Sequence, residues 1–420
     1  MPNYAAPGVY VEEIPSSVKP IAGVSTSTAG FIGVVPDSIT IPSQAEPFKL
    51  PTAAADKPAT SSRPAGRPAA AAAAAGASSA FQGATLCTNF TEYTTAFGGP
   101  SLDVGHRNLT QAVYGFFNNG GSRCYVVRLL SEDNVNQALT AFELVDEIAI
   151  VAAPGMLEDA TRVAIDAHCK TMGDRFAIFD GPPTQIDQTK LTKIAPDGDM
   201  PKSTDYAAWY FPWIKVFDPV AKRPDGDTPD GIINVPPSGH IAGIYARVDN
   251  ERGVHKAPAN EVIRGALDVT QRLSKAHQDA LNPMGVNCIR VLNDSILVWG
   301  ARTAAGADKP DLKYINVRRT LLFLRKSIDE GTQWVVFEPN SPALWQKITR
   351  NVSAFLTQVW RSGALFGVTQ QEAFYVKCDK ETNPQSAIDA GRVVTEIGVS
   401  IVRPAEFVIF RVSQVAGGGA

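Results

Sequence analysis

Several things are scarce in this 420-residue chain, and each scarcity removes a class of function. There are five cysteines, Cys87, Cys124, Cys169, Cys288 and Cys378, an odd number with no C-x-x-C pair. A disulfide framework and a thiol-ligated metal site are therefore disfavoured, and reduced core thiols in a protein made in a cytoplasm are expected. No apolar run approaches the roughly 18 residues needed to cross a bilayer as a helix, and the start has no basic leader or cleavage pattern, so neither membrane insertion nor a signal peptide is expected. The net charge is only −3, which gives no global attraction to nucleic acid or to membranes. Phosphate-loop and dinucleotide fingerprints are missing; Gly30-Phe31-Ile32-Gly33 lacks both lysine and spacing and reads as a close backbone contact. Pro237-Ser238-Gly239-His240 places a serine and a histidine too near each other for a nucleophile and its base. His240, His255 and His277 are isolated, and Asp166 and His168, two apart on a helix, do not face each other. No cofactor is expected.

What the chain does contain is about 44% apolar residues in periodic blocks, enough for two or three domains. Val24–Val35, Ser122–Leu130, Ile148–Ala152 and Phe176–Phe179 read as buried strands. They alternate with helical patterns over Leu109–Phe116 and Ala160–Met172, and that alternation predicts an α/β layer with parallel strands. Strand ends at Pro154 and Gly181 are where an α/β enzyme or small-ligand-binding protein would keep its site, which is the alternative function. Residues 36–82 are rich in Pro, Ala, Ser and Thr and read as an insertion, with a short helix allowed over the polyalanine run Ala69–Ala75. The stretch Pro236-Pro237-Ser238-Gly239 precedes a glycine-spaced apolar helix and reads as a tight turn followed by close helix packing, with Ser238 as its N-cap.

From Gly285 onward the pattern reads as a compact α+β module. It begins with the apolar run Val286–Trp299 and continues with a helix over Tyr314–Glu330 that Gly331 stops. A strand follows at Trp334–Phe337, then a helix opened by Ser341-Pro342 and closed at Gly363. Strands at Phe374–Cys378 and Val393–Ile401 complete it. The expected domains are an arm over 1–22, an outer α/β domain over 23–284 and an inner domain over 285–403. A final strand occupies 404–420.

Both ends are anomalous. Val9, Tyr10, Val11 and Ile14 form a short strand bracketed by prolines, and Phe407, Val408, Ile409, Phe410 and Val412 form a terminal run apolar on both faces. Such strands call for partners, in their own sheet or in another molecule. An arm of about twenty extended residues reaches roughly 60 Å, whereas a module of about 120 residues spans perhaps 35 Å. The arm can therefore leave its own subunit.

Four separated stretches, PGVYVEEI, PWIKVFDP, PPSGHIAGIYARVDNERGVHKAPANE and INVRRTLLFLRKSI…WVVFEPNSPALW, resemble the tail sheath proteins of contractile phages and related injection systems. In its short length the chain resembles the compact sheaths of pyocin-like and extracellular injection particles. The resemblance implies a multi-domain, non-enzymatic subunit that stacks with itself as hexameric rings around an inner tube, between a baseplate and a terminator or cap. It implies assembly in a bacterial cytoplasm, no nucleic acid and no direct membrane insertion. It also implies that the two end strands join a sheet on the inner domains of neighbouring subunits. Lys347, Arg350 and Arg361 on one helix, and Arg318 and Arg319 with Arg325 and Lys326 on the preceding one, are candidates to meet an acidic stripe on the tube. A solvated basic face is the other reading.

Overall fold

The computed structural model describes residues 20–36, 39, 83–218, 220–222, 228, 230–305 and 308–409. The expected N-terminal strand at Val9–Ile14, the polyalanine run, Phe410 and Val412 lie outside the described residues. The chain divides into two units, one formed by residues 25–322 and 403–409, the other by residues 20–24 and 323–402.

The larger unit is built on β1 (Ala29–Val34), β2 (Thr85–Cys87), β3 (Cys124–Leu129), β4 (Ile150–Ala152), β5 (Phe176–Asp180) and β6 (Ala207–Phe211). A side sheet follows with β7 (Ile214–Phe217), β8 (Ile232–Val235), β9 (Glu261–Val262) and β10 (Ala266–Val269), of which β9 returns to the main sheet. The hairpin β11 (Val286–Leu292) and β12 (Ser295–Val298) ends the series. Nine strands form one sheet in the order β2-β3-β1-β4-β5-β6-β11-β12-β9, and β10-β7-β8 form a second. The pairings among β3, β1, β4, β5, β6 and β11 are parallel. β4, β5 and β6 are buried at every position, as continuous apolar runs covered on both faces should be.

Period-two alternation splits these strands between two cores. Phe31, Val126, Ile150, Ile178 and Tyr210 face one side, where they meet α2 (Val104–Asn118) and α5 (Ser238–Arg252). Ile32, Val127, Val151, Phe179 and Trp209 face the other, where they meet α3 (Val135–Glu143) and α4 (Asp159–Met172), α1 being the short helix Phe90–Phe97. The α/β layer read from the sequence is therefore present. Close helix packing after Pro237 is present too: a Cβ on Gly239 would sit 2.3 Å from the Ala112 Cα, and one on Gly243 2.4 Å from the Phe116 carbonyl oxygen.

Three expectations are corrected. The run Val286–Trp299 is a hairpin turned at Asn293-Asp294, both at positive φ. Because β11 pairs with β6, that run belongs to the large sheet, and the boundary expected at residue 285 falls inside the sheet-bearing unit. After the short helix α6 (Lys275–Leu281), helix α7 (Ile315–Thr332) runs through Gly331 instead of stopping there, and the division between units falls within it, between Leu322 and Phe323. Gly331 serves close approach: a Cβ there would lie 2.7 Å from the Ile21 side chain. Trp334–Phe337 is not a strand. Gln333–Val335 form one 3-10 turn, and Phe337 has φ +69° and a fully exposed side chain, with no strand among the described residues to take up its backbone.

The smaller unit packs α8 (Pro342–Arg361) against a two-stranded antiparallel sheet, with α9 (Gln370–Ala373) before β13 (Phe374–Lys377) and α10 (Gln385–Asp389) before β14 (Glu396–Val399). Ser341 caps α8 by accepting the Leu344 N–H, as its place before Pro342 predicts. Leu344, Ile348, Val352, Phe355 and Val359 make the buried stripe of α8, against Phe374, Ile397 and Val399.

Candidate assembly surfaces

The strand ends near Pro154 and Gly181, where an α/β enzyme would keep its site, form a brace. Asp180 ends β5 fully buried; its carboxylate accepts the Ser238 N–H (2.8 Å), the Ser238 hydroxyl (2.7 Å) and the Gly155 N–H (3.1 Å). Burial raises its pKa to about 6 against those hydrogen bonds. Ser238 is the first residue of α5, tied to the carboxylate that ends β5, and is not its N-cap. His240 packs its ring over Gly115, and burial pushes its pKa down to about 4. The five cysteines are free and buried. Among the described residues no cluster of His, Cys, Asp or Glu could hold a metal ion, and no helix is long and apolar enough to cross a membrane.

Two of the expected tube contacts are consumed internally. Arg319 is buried and holds Asp249 with both guanidinium nitrogens (2.8 and 2.6 Å), the same carboxylate taking the Thr26 hydroxyl at 2.6 Å. Arg318 lies 3.2 Å from Asp205, with its guanidinium 3.8 Å above the Tyr206 ring. Neither is available to a partner. Helical periodicity alone could not show this, because their acidic partners lie 70 and 113 positions away in the chain. Lys347, Arg350 and Arg361 are exposed on α8.

The surfaces left unsatisfied are backbone edges and apolar side chains. β13 and β14 pair only with each other, in register Phe374↔Val399 to Lys377↔Glu396, so each strand has one unpaired edge among the described residues. Two strands alone are marginal in water; here α8 holds them from one face. Tyr375 is 58% exposed on this sheet, and Phe366, Val368, Val336 and Phe337 are exposed in the same unit. Phe407, Val408 and Ile409, expected in a terminal strand, are 71%, 68% and 79% exposed and carry no secondary structure in the single chain. They follow Glu406, whose carboxylate is gripped by Arg302, Asn282 and Tyr314, a role the sequence reading passed over. Its only sequence signal is an isolated acid entering the apolar run Phe407-Val408-Ile409-Phe410.

A subunit whose buried polar groups brace its own interior, and whose strand edges and apolar side chains face outward, is an assembly protein. Residues 130–304 match the family model of the phage tail sheath protein central domain, and residues 307–414 that of the phage tail sheath C-terminal domain. The chain belongs to the phage tail sheath family, whose members are structural proteins and not enzymes. It is 29% identical over 180 residues to the tail sheath protein of Vibrio phage KVP40, covering 42% of this chain and 25% of that one. It spans between a quarter and about half the length of the curated relatives it matches. It is similar over its whole length to the sheath of an extracellular contractile injection system, the PVC sheath complex in its contracted state (TM-score 0.72, 26% identity, 99% of both chains). It is likewise similar to the helical sheath of the anti-feeding prophage in its contracted state (TM-score 0.71, 28% identity, 98% of this chain and 100% of that chain).

Proposed function

We propose that this chain is the repeating subunit of a contractile sheath, stacking as hexameric rings around an inner tube and shortening to drive that tube through a target envelope. End-to-end similarity to sheaths solved in contracted form is the observation that carries this reading. The particle is a phage tail or an injection particle assembled in a bacterial cytoplasm, with a baseplate at one end and a terminator at the other.

In this reading the open edges of β13 and β14 receive strands from neighbouring copies, Val9–Ile14 from one end and Phe407–Val412 from the other. A strand of about six residues adds a few hydrogen bonds at a net ~1 kcal/mol each. Association costs on the order of 4–15 kcal/mol in lost freedom, so one link is weak. Several links per subunit in a lattice already holding each neighbour act as intramolecular contacts and become strong. Lys347, Arg350 and Arg361 on the exposed face of α8 are the residues proposed to meet an acidic stripe on the tube, in a screened contact that can release.

Deleting residues 407–420 tests the linking role. The expected product is a folded, unpolymerised subunit by circular dichroism and negative-stain microscopy; full-length cylinders from the truncated chain would remove the proposal.

A further inference from the structure

Between Arg403 and Ile409 the chain changes within one peptide unit from tightly held to unheld. Both oxygens of Glu406 are saturated. Oε1 accepts Asn282 Nδ2 and Arg302 Nε, each at 2.8 Å; Oε2 accepts Arg302 Nη2 at 2.9 Å and the Tyr314 hydroxyl at 2.8 Å. A two-pronged guanidinium grip with two neutral donors is among the strongest ways to hold a carboxylate. The grip is largely shielded from water, with side-chain exposure of 9% for Arg302 and 18% for Glu406.

Arg302 is itself fixed. Its N–H donates to Asn287 Oδ1 (2.8 Å), its carbonyl accepts from Asn287 Nδ2 (2.7 Å), and its Nη1 donates to the Asn282 carbonyl (2.9 Å). Asn287 is fully buried on β11, which is paired to β6 in the nine-stranded sheet. A continuous polar path therefore runs from Glu406 to the interior of that sheet. On the other side of Glu406 the next three residues are exposed and irregular. The preceding Arg403–Asp311 pair is 58% and 92% exposed and holds little.

We infer that Glu406 is the latch that roots the terminal linking strand on the large sheet, so that the free segment begins at Phe407. This rests on the linking role proposed above. With the latch closed, a neighbour that captures the strand pulls on the nine-stranded sheet through Arg302 and Asn287. With it open, the next hold on the chain is Val402, whose N–H bonds the Ala364 carbonyl at 3.2 Å in the smaller unit. The free segment then gains Arg403–Glu406, about 13 Å of extended chain, and the strand is rooted on the other unit. Glu406 is thus a positioning residue: it sets which unit carries the load and how much slack the link has.

The test uses the full chain with a spin label at Ala405→Cys or Val408→Cys, the five native thiols being buried. In the unpolymerised protein the label at 405 is expected to be several-fold less mobile than that at 408. Glu406→Ala and the isosteric Glu406→Gln should erase the difference, while Tyr314→Phe, which removes one of four donors, reduces it. On assembly, the Glu406 variants should give cylinders of variable rise and diameter where the parent gives uniform ones. Equal mobility at 405 and 408 in the parent chain overturns the latch. A mobility difference with unaltered cylinders from Glu406→Ala overturns its positioning role. Neither result depends on the deletion of residues 407–420, which judges the linking strand itself.

Discussion

The two units of this chain use polar chemistry in opposite ways. In the larger one, charged groups are buried and answered: Arg319 by Asp249, Asp180 by Ser238 and Gly155, Arg302 by Glu406. In the smaller one, a two-stranded sheet has edges unpaired among the described residues, and Phe337, Phe366, Val368 and Tyr375 meet solvent. A rigid body can tolerate buried charge because every partner is fixed in place. An assembly surface must leave groups unanswered until another copy arrives. Substitutions at the buried pairs should therefore lower stability, whereas those at the exposed strand edges and apolar side chains should spare stability and impair assembly.

The largest effect is expected for Arg319→Ala, which leaves the buried Asp249 without its cation. Chemical denaturation should show a loss of about 3–5 kcal/mol, and a loss under 1 kcal/mol would contradict the fixed-partner argument. Acid comes next. The His240 pKa is lowered from 6.5 to about 4 by burial, so below pH 6.5 the unfolded chain takes up a proton that the folded one refuses. The contribution is complete above 6.5 and falls away down to about pH 4. Asp180, raised from 3.8 to about 6, acts in the reverse sense: its proton is bound more tightly when folded, so it favours folding as pH falls from 6 to 3.8. Comparing the wild type with His240→Gln across this window isolates the imidazole term, on the order of 3 kcal/mol between pH 7 and pH 4.

Gly239→Ala should cost about 1–3 kcal/mol, read as a shift in thermal midpoint, because the added methyl meets the α2 backbone and not a movable side-chain tip. Phe337→Gly should run the other way. Relief of the positive φ at a fully exposed side chain should raise stability by up to about 1 kcal/mol. Loss of that apolar side chain should at the same time reduce polymer yield in sedimentation. Smallest for the fold is the pair Lys347→Glu and Arg350→Glu, exposed on α8, with a change within about ±0.5 kcal/mol. Its effect should appear instead as weakened co-assembly of sheath on tube at low salt; unaltered co-assembly would remove the proposed contact.

Where a signal was local, reading the chain sufficed. The uninterrupted apolar runs at Phe176–Phe179 and Ile148–Ala152, the Ser341-Pro342 start of α8 and the glycine spacing after Pro237 each describe their own surroundings. Where the outcome depended on distant partners, it did not. Trp334–Phe337 has the composition of a strand, but no strand among the described residues lies beside it. Gly331 looks like a helix stop and is a contact point for Ile21. Arg318 and Arg319 look like surface cations until Asp205 and Asp249 are brought to them.

Residue order alone settled the layered α/β character and the family, because hydrophobic periodicity and short motifs act over a few residues. Tertiary structure alone decided that Arg318 and Arg319 are answered internally, where the two units divide and that Arg302, Asn282 and Tyr314 hold Glu406. The side-chain pairings among these depend on groups about 70 to 120 positions apart meeting within hydrogen-bonding distance, and no local pattern encodes such a meeting.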